Sequence, residues 1–217
     1  MFKPHLAAVL ACAAALFVGV PGASAATGAP QSSSSADHSV DPSTLNPPVP
    51  AEFNPVCKTV GAGTICDVAF TEPSFSGEPT GIQCAGPAPF EVLISGTRSV
   101  TGKRYYDLNG DLTERHFRDE ILGTLTNPLT GATLSWYERN RIDHILGTPG
   151  DPGTGTEALT NRLRIAGTDG TVLIDAGRTV QNAADDSVLF EAGQHPFFEY
   201  FEHGDSSALQ PICEALS

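Results

Sequence analysis

Basic residues are scarce in this chain. Only 12 Lys and Arg occur among 217 residues, against 25 Asp and Glu, for a formal net charge of −13. Binding phosphate takes clustered cations to displace counterions, so this balance argues against nucleic acid as a partner. It argues equally against docking on anionic lipid. Charged residues are few in total (17%) and aromatics fewer (7%), whereas Gly (22) and Pro (17) are abundant, a turn-rich composition that excludes a helical bundle. Past the first 25 residues, no apolar run reaches the length of a membrane span. The patterns C-x-x-C, H-x-H, H-E-x-x-H and G-x-S-x-G are all missing. Zinc binding, zinc-dependent hydrolysis and a serine nucleophile elbow therefore have no support, and neither a cofactor nor a metal is expected.

The ends report on the compartment. Lys3, the apolar stretch from Leu6 to Val20 and the small residues Ala23-Ser24-Ala25 read as a secretory signal peptide over residues 1–25, cleaved near Ala25. Residues 26–51 hold a serine run and several prolines with few large apolar side chains, the composition of a disordered tether. A single folded domain is expected over 52–217, in a secreted, acidic, monomeric protein.

Four cysteines remain after the signal: Cys57, Cys66, Cys84 and Cys213. An even count in an exported chain reads as two disulfides with three possible connectivities. A hairpin turning at Gly61-Ala62 would put Cys57 opposite Cys66. That leaves Cys84 for Cys213, tying the C-terminus back to the body.

From Pro89 onward the chain alternates β-branched and aromatic segments with turn signals. Asn109-Gly110, Asn127-Pro-Leu-Thr-Gly131, Thr168-Asp-Gly170 and Asn182–Ser187 mark successive hairpins. In the second hairpin, pairing Asn127 with Ala132 sets Phe117, Ile121 and Leu125 on one face with Ile142, Leu134 and Trp136. Trp136 then covers Gly123, while the other face pairs Glu120 with Arg139 and His116 with Asp143. That hairpin is read as one apolar face and one charged face. Only the C-terminus looks helical: Ser207 and Gln210 are spaced as a capping box, Leu209, Ile212 and Leu216 share a side, and Pro211 keeps the helix short or broken. The expected fold is all-β: a disulfide-tied antiparallel β-barrel, or sandwich, with a short C-terminal helix. The barrel is favoured because closure removes exposed strand edges.

The segments Gly61–Cys66, Gly81-Ile-Gln-Cys84, Tyr105–Gly110, Leu125–Gly131, Leu173–Gly177 and Phe190–His195 together resemble secreted β-rich proteins of actinobacteria whose function is unknown. The resemblance covers most of the domain and implies no activity, so no functional residue is carried over from it.

The candidate chemistry is thin. Asp107-Leu-Asn-Gly-Asp111 has its glycine in the wrong place for a calcium loop and reads as a hairpin turn. His116 and His144 fall on opposite sheet faces and cannot share a metal. Asp175 and Glu191, in the similar segments Leu173–Arg178 and Leu189–Gln194, are the one carboxylate pair with catalytic potential, the equipment of glycoside hydrolysis. The plainer account has the adjoining glycines bending the strands while the acids face water. Phe197, Phe198, Tyr200 and Phe201 form the densest aromatic cluster, read by its period-two alternation as core plus rim. Together with Trp136 they are also candidates to line a ligand mouth.

The function expected from these residues is non-enzymatic binding of a small apolar ligand or of an envelope or extracellular partner. The alternative is an extracellular hydrolase or isomerase using Asp175 and Glu191. The stretch from Arg98 to Leu146 is charge-balanced, whereas residues from Gly147 onward carry eight excess negative charges, so a cationic partner is expected to approach the C-terminal third.

Overall fold

The computed structural model describes residues 38–217, apart from the side chains of Phe198 and Glu202. Residues 1–37, which hold the expected signal peptide and the first part of the expected tether, lie outside the described residues. Nine strands follow in order: β1 (Val56–Val60), β2 (Gly63–Thr71), β3 (Phe75–Cys84), β4 (Phe90–Tyr106), β5 (Leu112–Thr126), β6 (Thr133–Ile145), β7 (Thr156–Gly167), β8 (Gly170–Asn182) and β9 (Val188–Gln194). Two short helices close the chain, α1 (Pro196–His203) and α2 (Gln210–Leu216). All pairings between these nine strands are antiparallel, and β4 to β9 form a meander. The 17-residue β4 serves two partners end to end. Its first half pairs with β3 and its second half with β2, which also carries β1. The all-β antiparallel expectation therefore holds. The sheet is open, running from β1 and β3 at one side to β9 at the other.

Side-chain parity organises the sheet. Along β6 the residues Leu134, Trp136, Glu138, Asn140, Ile142 and His144 are buried and their neighbours are not. The register of β5 with β6 is the one expected: Phe117 opposes Ile142, Gly123 opposes Trp136 and Leu125 opposes Leu134. On the outer face, Glu120 meets Arg139 at 3.1 Å and His116 meets Asp143 at 2.7 Å. Turn chemistry fixes that register. Gly131 takes φ 77°, and the Asn127 amide N–H donates to the Ala132 carbonyl at 2.9 Å. Both disulfides, Cys57–Cys66 and Cys84–Cys213, form as expected, spanning sequence separations of 9 and 129.

Two apolar clusters lie on the inward face. At the helix end, Ile82, Val92, Leu125, Leu134, Trp136 and Ile165 pack against Phe197, Leu209, Ile212 and Leu216. At the opposite end, Val68, Tyr106, Leu112, Phe117 and Ile142 pack against Leu45, Val49 and Phe53. The second cluster corrects the domain boundary. Residues 38–51 were assigned to a disordered tether, yet Leu45 and Val49 are each only 6% exposed. Asp41 caps a 3-10 turn at Pro42–Thr44, and His38–Val40 hydrogen-bond along β1. Three apolar side chains spaced four residues apart suffice to anchor a strap whose composition otherwise reads as disorder.

The aromatic segment is also corrected. Phe197–Phe201 lies in α1, not in an alternating strand: Pro196 opens the helix and Gly204, in the left-handed region, ends it. Its core role stands, because Phe197 is 4% exposed and meets the Trp136 ring edge-on at 5.4 Å.

Candidate functional site

Between the two apolar clusters the inward face is polar, contrary to the apolar face expected of the second hairpin. The same parity that buries Trp136 and Phe117 also buries Glu138, Asn140, His144, Arg115 and Asp119. One row across β4 to β8 reads Val100, Asp119, Asn140, Asn161, Gly177, and the adjacent row reads Arg98, Ile121, Glu138, Leu163, Asp175. Arg98, Asp119, Glu138, Asn140 and Asp175 are each at most 7% exposed.

The partners in this band are specific. Arg98 donates to both oxygens of Asp119, through Nε at 3.0 and 3.1 Å and through Nη2 at 2.9 Å, and its Nη1 lies 3.7 Å from Glu72. Glu138 accepts from the Trp136 indole N–H at 3.1 Å and from the Asn140 amide at 2.7 Å. Asp175 accepts from the Asn161 amide at 3.0 Å and, on its other oxygen, from the Phe197 backbone N–H at 3.0 Å, so it caps α1 from a distant strand. His195 Nδ1 lies 3.6 Å from Asp175. Its ring rests on Gly177, where a Cβ would come within 2.4 Å of Nε2. Only glycine leaves that room.

Burial pushes the Glu138 carboxyl above its usual range. The charges of Asp119 and Asp175 push the same way, while the Asn140 and Trp136 donors oppose them. Asp175 is also raised, by burial that outweighs the Phe197 N–H, His195 and Asn161. Because the nitrogens of Asn140 and Asn161 are committed to carboxylates, their oxygens are turned elsewhere. Asn140 Oδ1 and Asn161 Oδ1, on paired residues of β6 and β7, have no donor among the described residues. The band thus holds three carboxyls and two amide oxygens without a described donor, and one guanidinium, which is engaged by Asp119 and Glu72. The band accepts hydrogen bonds in excess of what it donates.

A second buried polar group lies closer to the strap: Arg104, Arg115, His144 and Glu157. Arg115 Nε donates to His144 Nδ1 at 2.9 Å, which leaves the proton on Nε2, donated to the Thr154 carbonyl at 2.8 Å. Arg115 Nη2 lies 3.5 Å from Glu157. Arg104 donates to the Pro48 carbonyl, and the Tyr106 hydroxyl donates to that of Pro47 at 3.1 Å. Burial lowers the Arg115 guanidinium to about 10, raises Tyr106 to about 12 and lowers His144. These contacts fasten the strap and the Leu146–Gly155 loop onto the sheet.

The carboxylate pair chosen from sequence is not brought together. Glu191 is exposed opposite Thr179, on the same face as Asp175 but four positions further along, about 13 Å at the strand rise. That exceeds the separation of glycosidase carboxyls. The expectation that both acids face water holds for Glu191 and fails for Asp175, which is 2% exposed. The carboxyls that do share a row are Glu138 and Asp175, two strands apart, about 10 Å between backbones. Among the aromatic candidates, Trp136 and Phe197 are core and Phe201 stacks on Phe197 at 6.2 Å. Tyr200 meets Phe201 edge-on at 4.8 Å, and the side chain of Phe198 lies outside the described residues. The Asp107–Asp111 segment is a hairpin turn, with Asp107 accepting from the backbone N–H groups of Asn109 and Asp111. Among the described residues, no group of three His, Cys, Asp or Glu is placed to hold a metal, and no helix is long and apolar enough to cross a membrane.

No family model matches the chain, and neither a curated protein nor a solved structure matches it.

Proposed function

We propose that this is an exported, non-enzymatic binding protein whose inward band takes a small molecule with an apolar body and N–H or O–H donors. The observation that carries this reading is the pair Asn140 Oδ1 and Asn161 Oδ1, held side by side by amides already bonded to Glu138 and Asp175. Buried acceptors are satisfied in nearly all proteins, and these two oxygens have no donor among the described residues, which supports a donor supplied by a bound molecule. A wholly apolar ligand would leave them and the nearby carboxyls unsatisfied, which revises the ligand class expected from sequence toward an amphipathic molecule. The flanking apolar clusters suit its hydrocarbon part. Two disulfides fit the oxidising compartment that a signal peptide implies.

Native mass spectrometry of protein recovered from its own culture medium tests this reading. A bound organic molecule, lost in Asn140→Leu, supports it. A protein carrying only water at that position, with wild-type and Asn140→Leu masses differing by the substitution alone, overturns it. The enzymatic alternative moves from Asp175 and Glu191 to Glu138 and Asp175, whose raised proton affinities are the property of a general acid. Turnover in a glycoside panel that Glu138→Gln abolishes would favour it over binding.

A further inference from the structure

The sheet has three free margins, and among the described residues the protein covers much of one and the end of another. Along β1, His38–Val40 add a short ladder: the Val40 N–H donates to Cys57 at 3.0 Å and the Thr59 N–H to His38 at 2.8 Å. Along β3, the Tyr200 hydroxyl of α1 accepts from the Gln83 N–H and donates to the Gly81 carbonyl, both at 3.2 Å, and Cys84 is bonded to Cys213. One side chain thus does for the Gly81–Gln83 end of that margin what a neighbouring strand would do. The outer margin of β9 has no strand beside it among the described residues. All seven β9 residues are exposed, including Val188 at 44%, Leu189 at 58% and Phe190 at 52%. Edge strands are ordinarily blunted by Lys, Pro or a cover. Here, among the described residues, β9 is short, carries Glu191 and is irregular at Leu189, between the Val180–Phe190 and Gln181–Val188 pairs, while Phe190–Gln194 stays in regular register without Lys or Pro.

We infer that β9 is a docking edge for an extended polypeptide of a partner protein, added as a further strand and alternating apolar with basic residues. The alternation follows from the edge itself, since a strand laid along Phe190–Gln194 presents one face to Phe190 and the other to Glu191. The positive charge follows from the surroundings. Between Ala183 and Glu199 the chain carries Asp185, Asp186, Glu191 and Glu199 and no Lys or Arg, and the neighbouring cation on β8, Arg178 opposite Ala192, lies on the Phe190 face and not on the Glu191 face. A second copy would bring the same acids against themselves, which disfavours pairing of β9 with itself.

The test uses the purified protein and two labelled eight-residue peptides, one alternating Lys with Val and the other alternating Glu with Val, followed by fluorescence anisotropy and amide hydrogen exchange. The Lys peptide is expected to bind at least ten-fold more tightly than the Glu peptide, to weaken as salt rises, and to protect β9 amides selectively. Phe190→Lys should cut that affinity at least ten-fold without moving the melting temperature, because the side chain is half exposed. Salt-insensitive binding, equal binding of the two peptides or protection confined to other strands would overturn the proposal. So would the absence of peptide binding, whether the protein sediments as a monomer or as a dimer joined through β9. Binding in the sheet interior is read separately, by the Asn140→Leu comparison.

Discussion

The two polar groups of the inward face resemble each other in burial and differ in what they hold. The group nearer the strap is built around two guanidiniums, and its partners include carbonyls of Pro48 and Thr154 from segments that fold over the sheet. The band nearer the helices has one guanidinium against Asp119, Glu138 and Asp175. Apart from the α1 cap at Phe197, its hydrogen bonds run between sheet residues. Polar burial in the first is explained by attachment. In the second, attachment accounts for Asp175 alone, and the surplus of acceptors remains, which is why the proposed binding function is placed there.

Breaking either group at its charged centre should give the largest effect. Arg115→Met leaves Glu157 buried beside an uncompensated site, and Arg98→Met does the same to Asp119. Each should lose about 3–5 kcal/mol in urea unfolding. If the comparison is right, strap amides around His38–Val40 lose exchange protection in the first variant and keep it in the second.

Opening the helix clasp comes next. The Cys84→Ser/Cys213→Ser double variant should lose about 2–4 kcal/mol, more than Cys57→Ser/Cys66→Ser, because the loop it closes is far longer. A smaller loss, about 1–3 kcal/mol, is expected for Gly177→Ala, whose Cβ would press on the His195 ring and on the Ala192 carbonyl. The His195 ring resonances should shift in the same variant.

Glu138 in one group and His144 in the other should give pH dependences of opposite sign. Glu138 has its proton affinity raised by folding. Its stabilising contribution is present below its unfolded value of 4.5 and is lost as pH rises through the folded value. His144 is lowered, so its contribution is present above 6.5 and is lost as pH falls through the folded value. Glu138→Gln should therefore flatten the stability profile on the side above 4.5, and His144→Gln the side below 6.5, both measured by urea midpoints across pH. Equal effects on one side would erase the distinction. The smallest effect is expected on the outer face. Arg139→Ala removes an ion pair to Glu120 whose arginine is solvent-exposed, and the unfolding midpoint should stay within error.

Much of this architecture is legible in the chain. Asn127–Gly131 and the alternation on either side specify the β5–β6 register to the residue, and that register already contains the polar band. Glu138, Asn140 and His144 share parity with Trp136, as Arg115 and Asp119 do with Phe117. They escape a sequence reading because an apolar face is recognised by its apolar members, and a charged residue at an inward position carries no mark that its partner lies on another strand. Asp175 was singled out, but its role was misread: nothing nearby in sequence announces that it caps a helix beginning at Pro196. The strap was missed for the opposite reason. Leu45, Val49 and Phe53 are too few to signal order by composition, and they matter only because a finished sheet offers them a surface.

The composition of the chain, poor in cations and rich in turn residues, determines an antiparallel β-protein with an acidic C-terminal third, because turn residues and strand periodicity act over a few neighbours. Its cysteine spacing determines one disulfide and leaves the other by elimination. Tertiary structure alone decided which polar side chains are buried together, how the margins of β1 and β3 are covered, and that β9 is left bare. Those outcomes depend on contacts between residues as distant as Gln83 and Tyr200. Local propensity carries no information at that range.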